Sequence, residues 1–275
     1  MLIDYHIHTP YCGHAHGQTI QYVQTAIQKG IAEICFTDHL GRYYLTKFQK
    51  RRYWDWGMSE QDLPRYFSEL SDLREIFSNQ ISIKIGLEID YIEGAEELLL
   101  PIIDEYPLDF RIGSVHCIPH FGWKHLSEFQ DKVTEPVLLE YFRLVQSALS
   151  SKLFHSMAHI DFIWRDTQTY TSNSDVICDQ IQKTVKTAAE NETCIEINAN
   201  GFLWAQAQHT LPINPFDYFI DQIKRLDARI TIGSDAHEPY YVGKSLSSIV
   251  QMLLSKGINR VCRFSEGKMY EESLE

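Results

Sequence analysis

A short apolar run, often β-branched, followed by a longer amphipathic stretch, recurs seven times along the chain. The short runs are Leu2–Tyr5, Ile34–Thr37, Ile81–Leu87, Arg111–Val115, Phe154–Ala158, Cys194–Asn198 and Arg229–Gly233. Near-continuous apolarity over so few residues predicts strands buried on both faces of a parallel sheet. The longer stretches are Thr19–Lys29, Leu63–Phe77, Glu96–Glu105, Pro136–Ser151, Asp175–Asn191, Phe216–Leu226 and Ser245–Lys256. Their apolar residues return at helical spacing, as Ile220, Ile223 and Leu226 do, which predicts helices with one buried face. Alternating strand and helix argues for a parallel α/β fold, and seven units over this length favour a barrel over an open sheet. The aromatic and basic segment from Gly41 to Ser59 has no clear period and reads as a long loop over the active face.

Histidines and carboxylates fall on this map with a regularity that carries the functional reading. His6 and His8 end the first run, Asp38 and His39 follow the second, and Glu88 ends the third. His116 follows the fourth, His159 the fifth, and Asp235 and His237 the seventh. All lie at the C-terminal ends of predicted strands, the face of a β/α barrel where catalytic side chains converge. The pairs His6/His8 and Asp235/His237 are spaced i, i+2, which on a strand points both members to one side. With His14 in the first loop, seven imidazoles join Glu88 and Asp235 as nine candidate ligands. Catalytic zinc takes about three protein ligands, so nine suit three ions. Imidazole with carboxylate fits zinc, iron or manganese better than magnesium or calcium. His16 is an alternative to His14, two residues away. His120, His125, His155 and His209 are set aside, since an isolated histidine is more often a surface or satisfied core residue. Asp38 is expected behind the ligands, orienting a neighbouring histidine. Asp4, Asp90 and Asp161 are expected to point away or to cap the following element. The five tryptophans, Trp54, Trp56, Trp123, Trp164 and Trp204, are read as core or rim packing.

Composition narrows the partners. The chain has 275 residues, 44% of them hydrophobic, with no Gly/Ser- or Pro-rich linker, and residues 1–275 read as one domain. No apolar run reaches the ~20 residues a membrane span needs, and no signal peptide is visible. Six scattered cysteines without a C-x-x-C pair suit reduced thiols in a cytoplasmic protein. A net charge of -12 gives nucleic acid no long-range attraction, but a small anion remains possible where local cations hold it. The oligomeric state is left open.

The ordered motifs Asp4-Tyr5-His6-Ile7-His8-Thr9, Thr37-Asp38-His39, Gly86-Leu87-Glu88, Gly113-Ser114-Val115-His116, Ala158-His159-Ile160-Asp161 and Gly233-Ser234-Asp235-Ala236-His237 resemble those of the polymerase and histidinol phosphatase (PHP) family. The resemblance covers nearly the whole chain and implies a distorted (β/α)7, TIM-like barrel with its metal cluster at the C-terminal face of the strands. It implies one ion on His6, His8, Glu88 and Asp235, a second on Glu88, His116 and His159, and a third on His14, His39 and His237. Gly86-Leu87-Glu88-Ile89-Asp90-Tyr91 and Glu196-Ile197-Asn198 with Gly201 look like the stand-alone histidinol-phosphate phosphatases. Those enzymes usually carry an arginine soon after that glycine, where this chain has Phe202-Leu203-Trp204.

The expected activity is therefore hydrolysis of a phosphate monoester, with L-histidinol phosphate favoured and a hydroxide bridging two ions as nucleophile. Asp235 or His237 would protonate the leaving alcohol. Arg165 and Arg42 are the candidate phosphate contacts, since a guanidinium fork suits phosphate oxygens. The rival readings are a phosphoesterase for another small ester or nucleotide, a proofreading nuclease acting in trans with a polymerase, and a metal-binding domain without catalysis.

Overall fold

The seven apolar runs become seven parallel strands, β1 Ile3–Ile7, β2 Glu33–Phe36, β3 Ser82–Asp90, β4 Phe110–Ser114, β5 Ser156–Met157, β6 Cys194–Asn198 and β7 Ile230–Gly233. They form one sheet in chain order in this computed structural model, which describes residues 1–49, 57–129, 133–165, 167–208, 211 and 213–275. Just past the strand ends the sheet nearly closes on itself. Ile7 bridges Ala236 in parallel, Asp235 N donates to His6 O at 2.8 Å, and His8 N donates to Ala236 O at 2.9 Å. The result is the expected seven-stranded α/β barrel.

The strand residues are apolar on both faces because both faces are covered. Ile34, Cys35, Phe36, Ile85, Leu87, Ile112 and Ile197 are all buried. Outside them run α1 Thr19–Gln28, α2 Leu63–Ile76, α3 Glu96–Glu105, α4 Glu135–Ser150, α5 Thr167–Asn191, α6 Ala199–Ala207, α7 Pro215–Leu226 and α8 Leu246–Ser255. The long β3 sets the height of the upper rim. Ser82–Ile85 pair with β2, and Gly86–Asp90 pair with β4. Glu88 is thereby carried past the end of β2, where it bridges His39.

Two elements go beyond the sequence reading. The chain ends in an antiparallel hairpin, β8 Arg260–Ser265 and β9 Lys268–Ser273. Its two-residue turn, Glu266-Gly267, has both φ positive, as tight hairpins prefer. The hairpin caps the N-terminal end of the barrel. Phe264 N donates to Tyr5 Oη at 2.7 Å, and Tyr5 Oη donates to Glu33 at 2.6 Å. The Phe264 ring packs on Phe110 and His155. The second element is α6, which starts directly after β6 with the Asn198 side chain accepting from Asn200 N at 2.9 Å. Its sequence is apolar on every side and holds a glycine, so it shows no amphipathic stripe. In addition, α5 starts at Thr167, ahead of the expected Asp175, and kinks at Asn173. Among the described residues no helix is long and apolar enough to cross a membrane.

Of the 41–59 segment only the two ends lie among the described residues. They are stapled together beside His39, with Gly41 N donating to Met58 O at 2.9 Å and Met58 N to His39 O at 2.7 Å. Trp54, Trp56 and His209 lie outside the described residues. Trp164 is fully buried and stacks on Phe142, Trp204 packs against the main core, and Trp123 against Leu45, Ile92 and Ala95.

A close approach near the top of β7 is testable. A Cβ on Gly233 would lie 2.4 Å from Glu196 Oε1 and 2.4 Å from His6 Cβ. Gly233→Ala should therefore lower unfolding stability by about 1–3 kcal/mol, the usual cost of overpacking. An unchanged denaturation midpoint would mean these strands are not packed this tightly.

Candidate metal centre

The barrel brings all nine candidate ligands to one rim, with Glu88 at their centre. Glu88 Oε2 lies 3.0 Å from His6 Nε2, 3.3 Å from His8 Nε2 and 3.1 Å from His39 Nδ1. Its Oε1 lies 3.1 Å from His159 Nε2 and 3.5 Å from His116 Nε2. Asp235 Oδ1 stands 3.4 Å from His8 Nε2, 3.7 Å from His6 Nε2 and 3.6 Å from His237 Nδ1. The exposed His14 ring stacks 5.2 Å from His39 and lies 4.6 Å from His237. It is thus His14, the C-terminal neighbour of a left-handed Gly13, whose ring joins the cluster, and the exposed His16 meets it through its backbone, with His16 N donating to His237 O. Ligand-type atoms come within 4.8 Å of one another in the sets His6/His8/Asp235, His6/Glu88/His159, His8/His39/Glu88 and His14/His39/His237.

The lone pairs explain what such a cluster is for. His6 Nδ1 lies 2.6 Å from Glu196 Oε1, and His116 Nδ1 lies 2.9 Å from Asp90 Oδ1. A carboxylate there holds the proton on Nδ1 and leaves Nε2 as an acceptor. Both free Nε2 atoms then face Glu88, itself an acceptor. His6 Nε2 and His8 Nε2 are moreover only 2.9 Å apart. Acceptor against acceptor at these distances repels unless a cation lies between them, so the donor set fits divalent metal ions. A proton can stand in for that cation, and the protonation tendencies show the same attraction between rings and carboxylates. Burial alone would push Glu88 up, but His39, His6 and His116 hold it well below the usual carboxylate range. Burial opposes charge on His6, yet Glu196, Asp235 and Glu88 draw its pKa well above the ordinary value. Burial and the nearby His8 push His237 down to about 3. Two of the nine residues sit in left-handed backbone, His159 at φ 22° and Asp235 at φ 56°. Such strain costs of order 1–3 kcal/mol per residue and gathers at functional sites.

Several supporting residues depart from the sequence reading. Asp38 acts on the first loop. Its Oδ1 accepts from Thr9 N at 2.8 Å, Thr9 Oγ1 at 3.0 Å and Cys12 N at 3.1 Å, pinning the loop that carries His14. Asp90, two residues after Glu88 on the same strand, points into the site and holds His116. Arg42, expected at the phosphate, is buried and forms an ion pair with Asp90, its Nε 2.9 Å from Oδ2. Its guanidinium is spent on a carboxylate behind His116. Glu196 was missed as a site residue. Its Oε2 also accepts from His159 N at 2.8 Å and Asn198 Nδ2 at 3.0 Å. The available signal was that the sixth strand was the one strand end without a predicted ligand.

Arg165 behaves differently from Arg42. Its Nε donates to Asp161 at 2.6 Å and its Nη2 to Asn198 Oδ1 at 3.2 Å, with the side chain 18% exposed. Asn198 and Asn200 in turn reach Asp235 Oδ2 at 3.4 Å and 3.3 Å. One amide therefore separates an accessible guanidinium from the metal cluster. Of the histidines set aside, His155 belongs to the lower cap and His120 to a surface pair with Glu140. His125 stacks on His116 at 5.8 Å, at the edge of the site. Asp4 accepts from Ser234 N and Gly243 N, a capping role. The Cys12 thiol is buried beside His8 and His14, which outweigh its burial and bring its pKa down to about 6. All six cysteines are free thiols.

This barrel with a histidine and carboxylate cluster at its C-terminal rim defines a metallohydrolase-type site. The PHP domain model matches residues 4–200, and the chain belongs to the PHP family. It is 27% identical to a probable histidinol-phosphatase of Deinococcus radiodurans over 98% of each chain. It is also 27% identical to the histidinol-phosphatase of Bacillus subtilis, over 90% of this chain and 98% of that one. The histidinol phosphate phosphatase of Lactococcus lactis, solved with zinc, L-histidinol and phosphate, superposes with a TM-score of 0.80 at 25% identity, covering 98% of both chains.

The buried Arg42–Asp90 pair makes a prediction opposite to a phosphate contact. Arg42→Met leaves the buried Asp90 without its guanidinium partner and should cost about 3–5 kcal/mol of unfolding stability at neutral pH. Burial would raise Asp90, but Arg42 and His116 depress its pKa below the ordinary 3.8. A depressed carboxylate contributes stability above its unfolded pKa and loses it as pH falls through the folded one. The gap between wild type and variant in urea unfolding should thus be full at pH 7 and shrink below pH 3.8. A variant as stable as wild type at pH 7 would overturn this reading.

Proposed function

We infer that the chain is a metal-dependent phosphomonoesterase that hydrolyses L-histidinol phosphate to L-histidinol and phosphate. The observation that carries this reading is Glu88, one carboxylate within 3.5 Å of five imidazole rings, with the accessible Arg165 one residue away through Asn198. His6, His8, Glu88 and Asp235 would hold one ion, Glu88, His116 and His159 a second, and His14, His39 and His237 a third. The ions are of the zinc, manganese or iron type. When bound they supply Lewis acidity and lower the pKa of coordinated water toward ~7. Relatives named histidinol-phosphatase that align along nearly the whole chain, and a superposable enzyme holding zinc, L-histidinol and phosphate, support the substrate. The whole of residues 1–275 acts as one unit, in the cytoplasm.

The chain's own groups then have assignable work. Arg165 is held by Asp161 and Asn198 with its remaining N–H groups available for phosphate oxygens. Glu196 and Asp90 fix the faces of His6 and His116. Asp235 is ionised and His237 is neutral at pH 7, by the directions of their shifts. Asp235, through the carboxylate oxygen not facing His6 and His8, or His237, through the ring nitrogen not turned to an ion, would relay a proton from water to the leaving alkoxide. A second reading, hydrolysis of another small phosphate ester, draws on α6. Phe202-Leu203-Trp204 there offers no cation where the histidinol-phosphate enzymes usually carry an arginine. The acidic surface opposes a nuclease role on single-stranded DNA.

Purified protein should carry more than one equivalent of transition metal, lose activity on chelation, and prefer L-histidinol phosphate in a panel of phosphomonoesters. Full activity without metal would end the hydrolase reading, and a higher kcat/KM on a nucleotide would shift the substrate. Arg165→Ala should lower kcat/KM by roughly tenfold to a hundredfold with bound metal unchanged, the loss of a charge-assisted contact worth about 1.5–3 kcal/mol. A loss under twofold would remove Arg165 from the phosphate site.

A further inference from the structure

The Cys12 thiol has no place in the ligand sets above, yet it lies within them. Potential ligand atoms of His8, Cys12 and His237 come within 4.8 Å of one another. Those of His14, His39 and His237 do the same, so the two sets meet at His237. His8 is fully buried, and its Nε2 faces Glu88 and Asp235. Its Nδ1 is left buried without a hydrogen-bond partner, and so is His237 Nε2. The thiol is held in place by its backbone. Cys12 ends the turn Pro10–Cys12, and its N–H reaches Thr9 O at 3.0 Å and Asp38 Oδ1 at 3.1 Å. Gly13, at φ 86°, then turns the chain so that His14 Nδ1 lies 3.2 Å from Cys12 O.

We propose that Cys12 supplies a thiolate ligand to the ion held by His14, His39 and His237. The proposal rests on the metal reading above and deepens it. Ligand atoms on one tetrahedral zinc ion stand roughly 3.5 Å apart, given Zn–S near 2.3 Å and Zn–N near 2.0–2.1 Å. Cys12 Sγ already lies within 4.8 Å of a His237 ligand atom and beside His14, and reaching that spacing requires the sulfur to draw in toward His14 and His39 as the ion binds. On binding, the thiol proton goes to solvent and the sulfur lone pair forms the new bond. Three imidazoles and one thiolate would give the third ion four protein ligands and fix His39 and His237 around it. A thiolate also selects zinc over manganese at this position.

Cobalt(II) reports the sulfur directly. The full-length chain is stripped of metal, loaded with cobalt to saturation, and its absorption recorded. Wild type should show the intense near-ultraviolet band of sulfur-to-cobalt charge transfer. Cys12→Ser and Cys12→Ala should lose that band and bind about one cobalt fewer, with the remaining ions still on the Glu88 side. Two substitutions guard against one that fails to fold. A saturated wild type without the band leaves Cys12 outside the metal's ligand shell and overturns the proposal while leaving the metal reading intact. A band that persists in both variants places the thiolate elsewhere and overturns it too. A chain that takes up no cobalt overturns both readings together.

Discussion

Everything at the upper rim depends on one buried carboxylate surrounded by imidazole. Glu88 is buried away from bulk solvent, and among the described residues imidazole rings surround it. Taking an ion out of water costs several kcal/mol even after relaxation. Here five ring systems share that cost, and each must present the correct nitrogen. The second row of carboxylates decides which nitrogen that is. Glu196 fixes His6 and Asp90 fixes His116, while Asp38 fixes the loop that brings Cys12 and His14 into place. Arg42 lies a layer further out and balances Asp90. Charge therefore alternates outward from the centre, and a residue expected to touch substrate proves to be a counter-ion in this layered arrangement.

The part of this visible in the sequence was the part that depends on backbone periodicity. Strand ends could be placed to within a few residues because both faces of each strand are buried and the apolar runs are nearly unbroken. A side chain at the end of a parallel strand has only one rim to occupy, so the nine ring and carboxylate residues were found together. Side-chain direction within a strand end was less legible. Asp90 follows Glu88 by two residues and shares its side, a parity that marked His6 with His8 but was not applied here. Glu196 shares this pattern with Asn198. Arg42 could not have been placed from sequence, since its partner Asp90 lies 48 residues away. The terminal hairpin had the alternation of a strand in Cys262, Arg263, Phe264 and Ser265, but nothing local says that it folds beneath the barrel. That follows from long-range contacts of Phe264 with Tyr5, Ser265 with Lys84, and Glu266 and Gly267 with Asp109.

The lower cap and the upper cluster are two ends of the same strand. Tyr5 anchors the hairpin below, and His6 and His8 face the metal rim above. The phenol hydrogen-bonds Glu33 and the Phe264 backbone, fixing β1 along its axis, and the Glu196 contact fixes the His6 ring at its top. Strand β1 thus ties the hairpin to the metal rim through adjacent residues, Tyr5 and His6.

The seam between the first and last barrel strands has a further consequence, in the order of events during synthesis. His6 and His8 leave the ribosome first, whereas Asp235, His237 and the backbone groups that bond to His6 and His8 are made some 230 residues later. Contacts of that sequence separation are slow to form because the intervening chain must close first. A nascent chain therefore displays a histidine pair, and later Glu88 and His116, to whatever metal the cell offers before the barrel has a shape that discriminates among ions. Selection then has to operate at closure, when the seam forms and His237 meets His14 and His39. A chain folded in the presence of the wrong ion would be locked by the same strand pairing that protects the right one.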